Sequence, residues 1–217
     1  FITITVDDGD GISAPTDLDS DNDGIPDCVE NGLGGEIDGA FSFDPVFFTK
    51  NNATKMGPYE VRLTQSIGDQ RGQMWSNGKI DFTKDFSMSF EVYLGTRNGD
   101  GADGIAIVFH NDPAGTNAET ASTEGSSIGA LGIQNGIVLE IDTYANTGAP
   151  MNDPAQDHIH IWRSVNQQSL SSIVSFGTNE ANSNIEDGNW KPVTISWNAA
   201  TSTFFFEVVG GGTNPGT

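Results

Sequence analysis

Apolar residues recur at every second position in segment after segment of this chain, and that period of two most narrows what it can fold into. Phe86, Met88, Phe90, Val92 and Leu94 share one parity. Alternate residues of a strand point to one face, so this segment has one apolar side. Further strand candidates are Phe1–Val6, Met74–Trp75, Ile80–Phe82, Ile105–Phe109, Ile137–Tyr144, His158–Trp162, Ile173–Phe176, Val193–Trp197 and Phe204–Val209. Asn77-Gly78, between two of them, predicts a hairpin because both residues tolerate positive φ. No convincing helical periodicity runs longer than about two turns, and no unit of roughly 20–50 residues repeats. Twenty-seven Gly and nine Pro supply the turns. The expectation is an all-β protein, a β-sandwich.

Charge excludes several partners. Thirty acidic residues against 9 Lys and Arg give a formal net charge of −21. Phosphate recognition needs a basic surface, so nucleic acid and anionic membrane faces are poor partners. With 35% apolar residues and 13 Phe, the chain can still pack a core. No apolar run approaches the ~18 residues of a membrane-spanning helix, so no membrane insertion is expected. A single cysteine, Cys28, rules out an intrachain disulfide framework and a cysteine zinc cluster. The chain begins at Phe1 with no charged-then-apolar leader, as a processed protein or an excerpt would.

The acids are unevenly spread. Residues 1–44 hold 12 of them and no Lys or Arg; the first cation is Lys50. This divides the chain into a strand and linker over 1–12, an acidic loop module over 13–32, and a main domain over 33–217. Within residues 19–30, oxygens fall at positions 1, 3 and 5 (Asp19, Asp21, Asp23), Gly24 at 6, the Ile25 carbonyl at 7, Asp27 at 9 and Glu30 at 12. That is the spacing of an EF-hand calcium loop, whose hard cation takes six to eight oxygens and whose glycine permits a sharp turn. A solvated acidic linker is the alternative, but alternate aspartates would then repel with no compensation. Pro26 and the lack of helical flanks argue against a true helix–loop–helix.

A second constellation lies in Gly136–Asn146. There Ile137, Leu139 and Ile141 face the core, while Glu140, Asp142, Tyr144 and Asn146 share the other parity. Same-face residues lie about 6.6 Å apart, so two cations a few ångströms apart could share Asp142. Asp153 and His158 follow. An imidazole with carboxylates suits Mn²⁺ or another transition metal; carboxylates with an amide oxygen and a backbone carbonyl suit Ca²⁺. For Glu-x-Asp alone, a polar strand end with unrelated acids is the simpler account, and His158 is what tips the balance. His110 and His160 read as ordinary strand residues.

Both constellations resemble known families. Asp17-Leu-Asp-Ser-Asp-Asn-Asp-Gly-Ile-Pro-Asp27 is similar to a thrombospondin type 3 calcium repeat, which implies a calcium-stiffened spacer and an extracellular, cell-surface location. The run Glu140-Ile-Asp142-Thr-Tyr144-Ala-Asn146, then Asp153-Pro and His158-Ile-His-Ile, resembles the metal motif of legume-type (L-type) lectins and their bacterial counterparts. That resemblance implies a concanavalin-like jelly-roll sandwich. It implies Ca²⁺ on Asp142, the Tyr144 carbonyl, Asn146 and Asp153, and Mn²⁺ on Glu140, Asp142, Asp153 and His158. The Asn146-to-Asp153 loop is a few residues longer than is common in the family.

Upstream, Asn98-Gly-Asp-Gly-Ala-Asp103-Gly resembles the family's Ala-Asp-Gly strand, with a cis peptide before the aspartate. Gly129-Ala-Leu-Gly132 resembles its glycine loop. A carbohydrate site follows by resemblance: Asp103 and Asn146 bond sugar hydroxyls, the Gly129 N–H donates, and the Tyr144 ring lies under the sugar. The alternative for Tyr144 is a rim aromatic packed on the sheet. The implied partners are glycans or polysaccharide, and the implied role is a calcium-dependent, non-catalytic lectin module of an extracellular adhesin. The family usually continues through further strands after Phe204–Val209, whereas this chain runs into Gly-Gly-Gly-Thr-Asn-Pro-Gly-Thr217. An open sheet edge or strand exchange through Phe1–Val6 would then promote self-association.

Two other functions compete. Laminarinase-type hydrolases of the same sandwich carry Glu-x-Asp-x-x-Glu, but here the third residue after Asp142 is Ala145, and retaining hydrolysis needs two carboxyls about 5 Å apart. An assembly subunit of a bacterial surface fibre, with a calcium-stabilised lectin fold, is the other.

Overall fold

The computed structural model describes residues 2–5, 47–120, 122, 125–148, 152–177, 183–209 and 213–216. The acidic loop module of residues 13–32, with all six of its candidate ligands, lies outside them. The described residues are almost entirely strands and turns; their helical content is two three-residue 3-10 turns, Gly115–Asn117 and Gly125–Ser127. The chain forms two compact units, Phe1–Val92 with Thr194–Ser202, and Tyr93–Val193 with Thr203–Thr217.

In the first unit, β1 (Ile2–Thr5) pairs antiparallel with β6 (Phe86–Val92), Ile2 opposite Val92. The early strand therefore lies on a strand of its own chain. β2 (Phe47–Asn51) pairs with β5 (Gly72–Ser76), and β3 (Thr54–Lys55) with β4 (Val61–Arg62). Phe47 and Val61 are buried against Ala53, Leu63 and Met74. β6 follows its pattern, with Phe90 and Val92 buried and Ser87 and Glu91 exposed.

The hairpin expected at Asn77-Gly78 does not form: β5 takes β2 as its partner, and Ile80–Phe82 is not a strand. Asp81 explains this. Its Oδ1 accepts the Thr83 N–H at 2.9 Å and the Thr83 hydroxyl at 2.7 Å, closing a turn on itself. A short acidic side chain bonded to backbone two residues on competes with the strand ladder. Phe82 instead meets Phe86 and Trp197 edge-on, with centroids 5.3 and 5.2 Å away.

The second unit holds a sheet in the order β10–β9–β8–β7: β7 is Gly104–His110, β8 Gly136–Asp142, β9 His158–Arg163 and β10 Gln168–Ser169. β11 (Val174–Ser175) shares the outer edge of β9 with β10. β12 (Lys191–Asn198) carries residues of both units. β13 (Thr203–Val208) pairs with β14 (Thr213–Gly216), Phe205 opposite Pro215. That last strand has Gly, Pro and Asn where strand formers are expected, so only its partner makes it one.

β8 is buried on both faces. Leu139 and Ile141 are fully buried on one side. On the other, Val138 packs with Ala130 and Trp162. Each such side chain contributes about 1.5–3 kcal/mol when buried. The same burial encloses the acids that alternate with them.

Candidate functional site

The antiparallel register of β8 and β9 sets Glu140 opposite His160 and Asp142 opposite His158. Residues two apart share a face, so two carboxylates and two imidazoles form a compact array there. Glu140 and Asp142 are wholly buried and His158 is 1% exposed. One ligand atom each from Glu140, Asp142 and His158 lie within 4.8 Å of one another.

Both Glu140 oxygens, Asp142 Oδ2, Asn146 Oδ1 and His158 Nε2 are buried without a hydrogen-bond partner among the described residues. Buried polar atoms normally have partners, and buried charge is paired or holds a metal. Five such atoms in one cluster fit a cation. Burial, and then the charge of Glu140, push the Asp142 carboxyl up to about 9, against the Tyr144 N–H it accepts. Burial also raises Asp153 and lowers His158. A bound cation would reverse these pressures by favouring the carboxylate and the neutral ring.

The chain leaves β8 by turning its backbone onto the acids. The Tyr144 N–H donates to Asp142 Oδ1 at 2.7 Å, which ends the strand at Asp142 rather than Tyr144. The Asn146 N–H donates to Asp153 Oδ2 at 2.9 Å, and the Asp153 N–H returns to the Asn146 carbonyl at 3.2 Å. Asp153 Oδ1 lies 3.7 Å from His158 Nε2. His158 Nδ1 lies 3.2 Å from the Gln156 carbonyl. A carbonyl can only accept, so Nδ1 carries the proton and Nε2 presents its lone pair to the cluster. Tyr144 stands at the rim, 43% exposed.

Asp103 joins this group through the backbone. The Ala102–Asp103 peptide is cis, as the resemblance implied. The Asp103 carbonyl accepts the Thr143 N–H at 2.9 Å, and Gly104 pairs with Asp142. Gly104 has φ of +145°, and a Cβ there would lie 2.1 Å from the Ile141 carbonyl oxygen, so only glycine fits. Burial, then the Asp153 charge, raise the Asp103 carboxyl.

The Asp103 carboxylate packs on Gly125, where a Cβ would sit 1.7 Å from Oδ2. The sequence points to Gly129 for the glycine loop and does not single out Gly125. Its only sequence signal is a glycine beside polar residues in Glu124-Gly-Ser-Ser127. Gly129 follows in the same loop at φ +66°. His110 accepts the Asp112 N–H at 3.2 Å on Nδ1. His160, also read as an ordinary strand residue, instead sets Nδ1 3.6 Å from Glu140 Oε2.

A neighbouring buried acid predicts a pH effect. Glu186 is 3% exposed, and its Oε1 lies so near Gly101 that a Cβ there would come within 2.0 Å. Burial, then the charge of Asp157, push its carboxyl up to about 7 from an ordinary 4.5; the Thr143 hydroxyl pulls the other way. Asp157 is held by the Ile185 N–H at 2.8 Å. Between those two values the folded protein binds more protons at Glu186 than the unfolded chain, so this group's contribution to stability falls as pH rises. Melting of the wild type and Glu186→Gln from pH 5 to 8 should show the variant gaining on the wild type as pH increases. A difference that does not change with pH would refute the assignment.

Residues 40–213 match the family profile of the legume lectin beta-barrel, or L-type lectin, domain. The pesticidal crystal protein Cry22Aa of Bacillus thuringiensis is 39% identical over 103 residues, 47% of this chain and 14% of that protein. A serine-rich adhesin for platelets from Staphylococcus aureus strain MRSA252 is 37% identical over 93 residues, 42% of this chain and 7% of that protein. The matches therefore span a small part of much longer relatives. Among solved structures, peanut lectin with a nine-residue peptide superposes with a TM-score of 0.58 at 22% identity, over 79% of this chain and 75% of that one. Lectin UEA-II complexed with galactose gives 0.57 at 19%, over 80% and 77%. These likenesses establish the expected fold class, a legume-lectin jelly-roll sandwich.

Proposed function

Because this chain belongs to the legume lectin (L-type) domain family, we propose that it is a cation-dependent carbohydrate-binding module of an extracellular adhesin, without catalytic activity. One observation carries the reading: Asp103 feels the charge of Asp153, which accepts the Asn146 N–H, beside a buried acid cluster whose oxygens and nitrogen have no hydrogen-bond partner among the described residues and fit a cation. Similarity to a surface adhesin supports the location.

In this reading Asp142, the Tyr144 carbonyl, Asn146 and Asp153 hold Ca²⁺, and Glu140, Asp142, Asp153 and His158 hold Mn²⁺ or another transition metal. When bound, the ions supply positive charge that fixes these side chains in place. Asp103 accepts sugar hydroxyls, its backbone held by the Thr143 N–H and its carboxylate set against Gly125. Asn146 supplies the second side-chain contact, Gly129 an N–H, and the exposed Tyr144 an apolar face for sugar C–H groups. A site fixed beforehand loses less ordering entropy on binding, which matters for a ligand offering few contacts. Single sites of this kind bind weakly, so adhesion relies on several copies. Hydrolysis is disfavoured because Ala145 stands where a second carboxylate would be needed.

A glycan array with and without EDTA tests the reading. Binding that EDTA abolishes is expected. Failure of the fully metallated protein to bind any glycan would hand the role to a structural subunit of a surface fibre.

The acidic segment 13–32 is proposed as a separate calcium loop resembling a thrombospondin type 3 repeat, with ligands at Asp19, Asp21, Asp23, Ile25, Asp27 and Glu30. Chelation should then open residues 13–32 while the strands stay folded. Limited proteolysis is expected to cut near Ile25–Glu30 only in chelator; equal cutting with calcium present would discard the loop.

A further inference from the structure

His160 has a hydrogen-bonding geometry that an ordinary strand residue does not need. Its Nε2 lies 2.7 Å from Ser169 Oγ, and Ser169 Oγ lies 2.7 Å from the Ser171 carbonyl oxygen. A carbonyl only accepts, so the single Ser169 hydroxyl proton goes to Ser171. Nε2 must then carry the imidazole proton and donate it to Ser169. In the neutral ring Nδ1 keeps a bare lone pair, and what it faces is Glu140 Oε2, 3.6 Å away, a buried oxygen with no hydrogen-bond partner among the described residues. Two electron-rich atoms turned toward each other repel unless a positive charge lies between them.

The spacing suits one ion. With metal–nitrogen and metal–oxygen bonds of about 2.0–2.2 Å, two ligands are roughly 2.8–3.1 Å apart at octahedral angles and roughly 3.3–3.6 Å at tetrahedral ones. Asp153 Oδ1 and His158 Nε2, both proposed above as ligands, stand at a similar 3.7 Å. The support behind His160 is firm: Ser169 lies on β10, paired with Trp162 of β9, and the Ile161 N–H donates to Ser171 Oγ at 3.0 Å. His160 is 12% exposed, so water can reach its side of the cluster.

We propose that His160 is a second imidazole ligand of the transition-metal centre, its Nδ1 binding the same ion as Glu140 Oε2. The inference rests on the metal-centre reading given above and adds a consequence: two imidazoles bias the centre toward borderline ions such as Co²⁺ and Zn²⁺ over Mn²⁺, which prefers oxygen.

The test uses the full chain, stripped of metal, saturated with Ca²⁺ and titrated with Co²⁺ and with Mn²⁺. His160→Ala should weaken Co²⁺ binding about tenfold or more while Mn²⁺ binding falls by clearly less. X-ray absorption on the Co²⁺-loaded wild type should count two imidazoles per ion, a readout that needs no variant to fold. One imidazole per ion overturns the proposal and leaves the metal centre standing. So does equal weakening for both ions, the sign that His160 merely steadies Glu140. Unchanged or tighter Co²⁺ binding in His160→Ala, as an imidazolium paired with Glu140 would give, also overturns it. A wild type that takes up no Co²⁺ or Mn²⁺ overturns the metal-centre reading itself.

Discussion

Asp142→Ala is expected to emerge from purification with neither calcium nor a transition metal at the β8–β9 site, and with glycan binding lost. Asp142, like Asp153, is common to both proposed ligand sets. It is fully buried, with Oδ1 on the Tyr144 N–H and Oδ2 without a hydrogen-bond partner among the described residues. Elemental analysis reads the result as a loss relative to the wild type, since calcium in the proposed 13–32 loop is common to both proteins. The fold should survive, because two effects oppose each other in the metal-free protein. Losing the acceptor for the Tyr144 N–H costs about 1–3 kcal/mol. Losing the carboxyl removes a buried acid that sits against Glu140, the repulsion that helps push Asp142 up to about 9. His158→Ala should part the two ions, removing mainly the transition metal, since His158 belongs to one ligand set only. Mn²⁺ retained at full stoichiometry in Asp142→Ala would show that the aspartate is not shared.

How much of this was legible in the sequence depends on the range of the forces involved. β7, β8, β9, β12 and β13 follow the alternation of their own side chains, a local signal, and the structure places them within a residue or two of expectation. The ladder of Glu140 and Asp142 was legible for the same reason, because a period of two fixes which residues share a face. What alternation could not convey was depth. The polar face of β8 is as buried as the apolar one, since Val138, two residues before Glu140 on that face, packs on Trp162.

Misses arose where a partner distant in sequence decides. Asp81 closes a turn that a propensity reading scores as strand. Thr213–Gly216 is extended only because β13 offers an edge. Gly125 and His160 matter through what they face, Asp103 and Glu140, and no spacing rule joins positions 22 and 20 residues apart. The N-terminal loop is the reverse case: its ligands are all local, so its pattern could be read from the sequence alone, and the described residues do not bear on it.

Asp103→Ala is expected to weaken glycan binding by an order of magnitude or more while leaving the metal content unchanged. Asp103 is proposed to touch the sugar and not the ions, and a lost hydrogen bond to a charged group is worth about 1.5–3 kcal/mol. The backbone it anchors should persist, because the Thr143 N–H is held by the Asp103 carbonyl, which alanine keeps. Gly125→Ala offers an independent approach to the same pocket. Its added methyl would fall 1.7 Å from Asp103 Oδ2, so the carboxylate has to swing aside although every proposed polar group remains. Both variants should therefore lose affinity in calorimetric titration against a glycan first found on an array, and both should keep their calcium. If Asp103→Ala binds as well as the wild type, the sugar pocket lies elsewhere on the domain. If Asp103→Ala fails while Gly125→Ala binds normally, the carboxylate acts from a position other than the one seen against Gly125, and the loop that follows must move before sugar can enter.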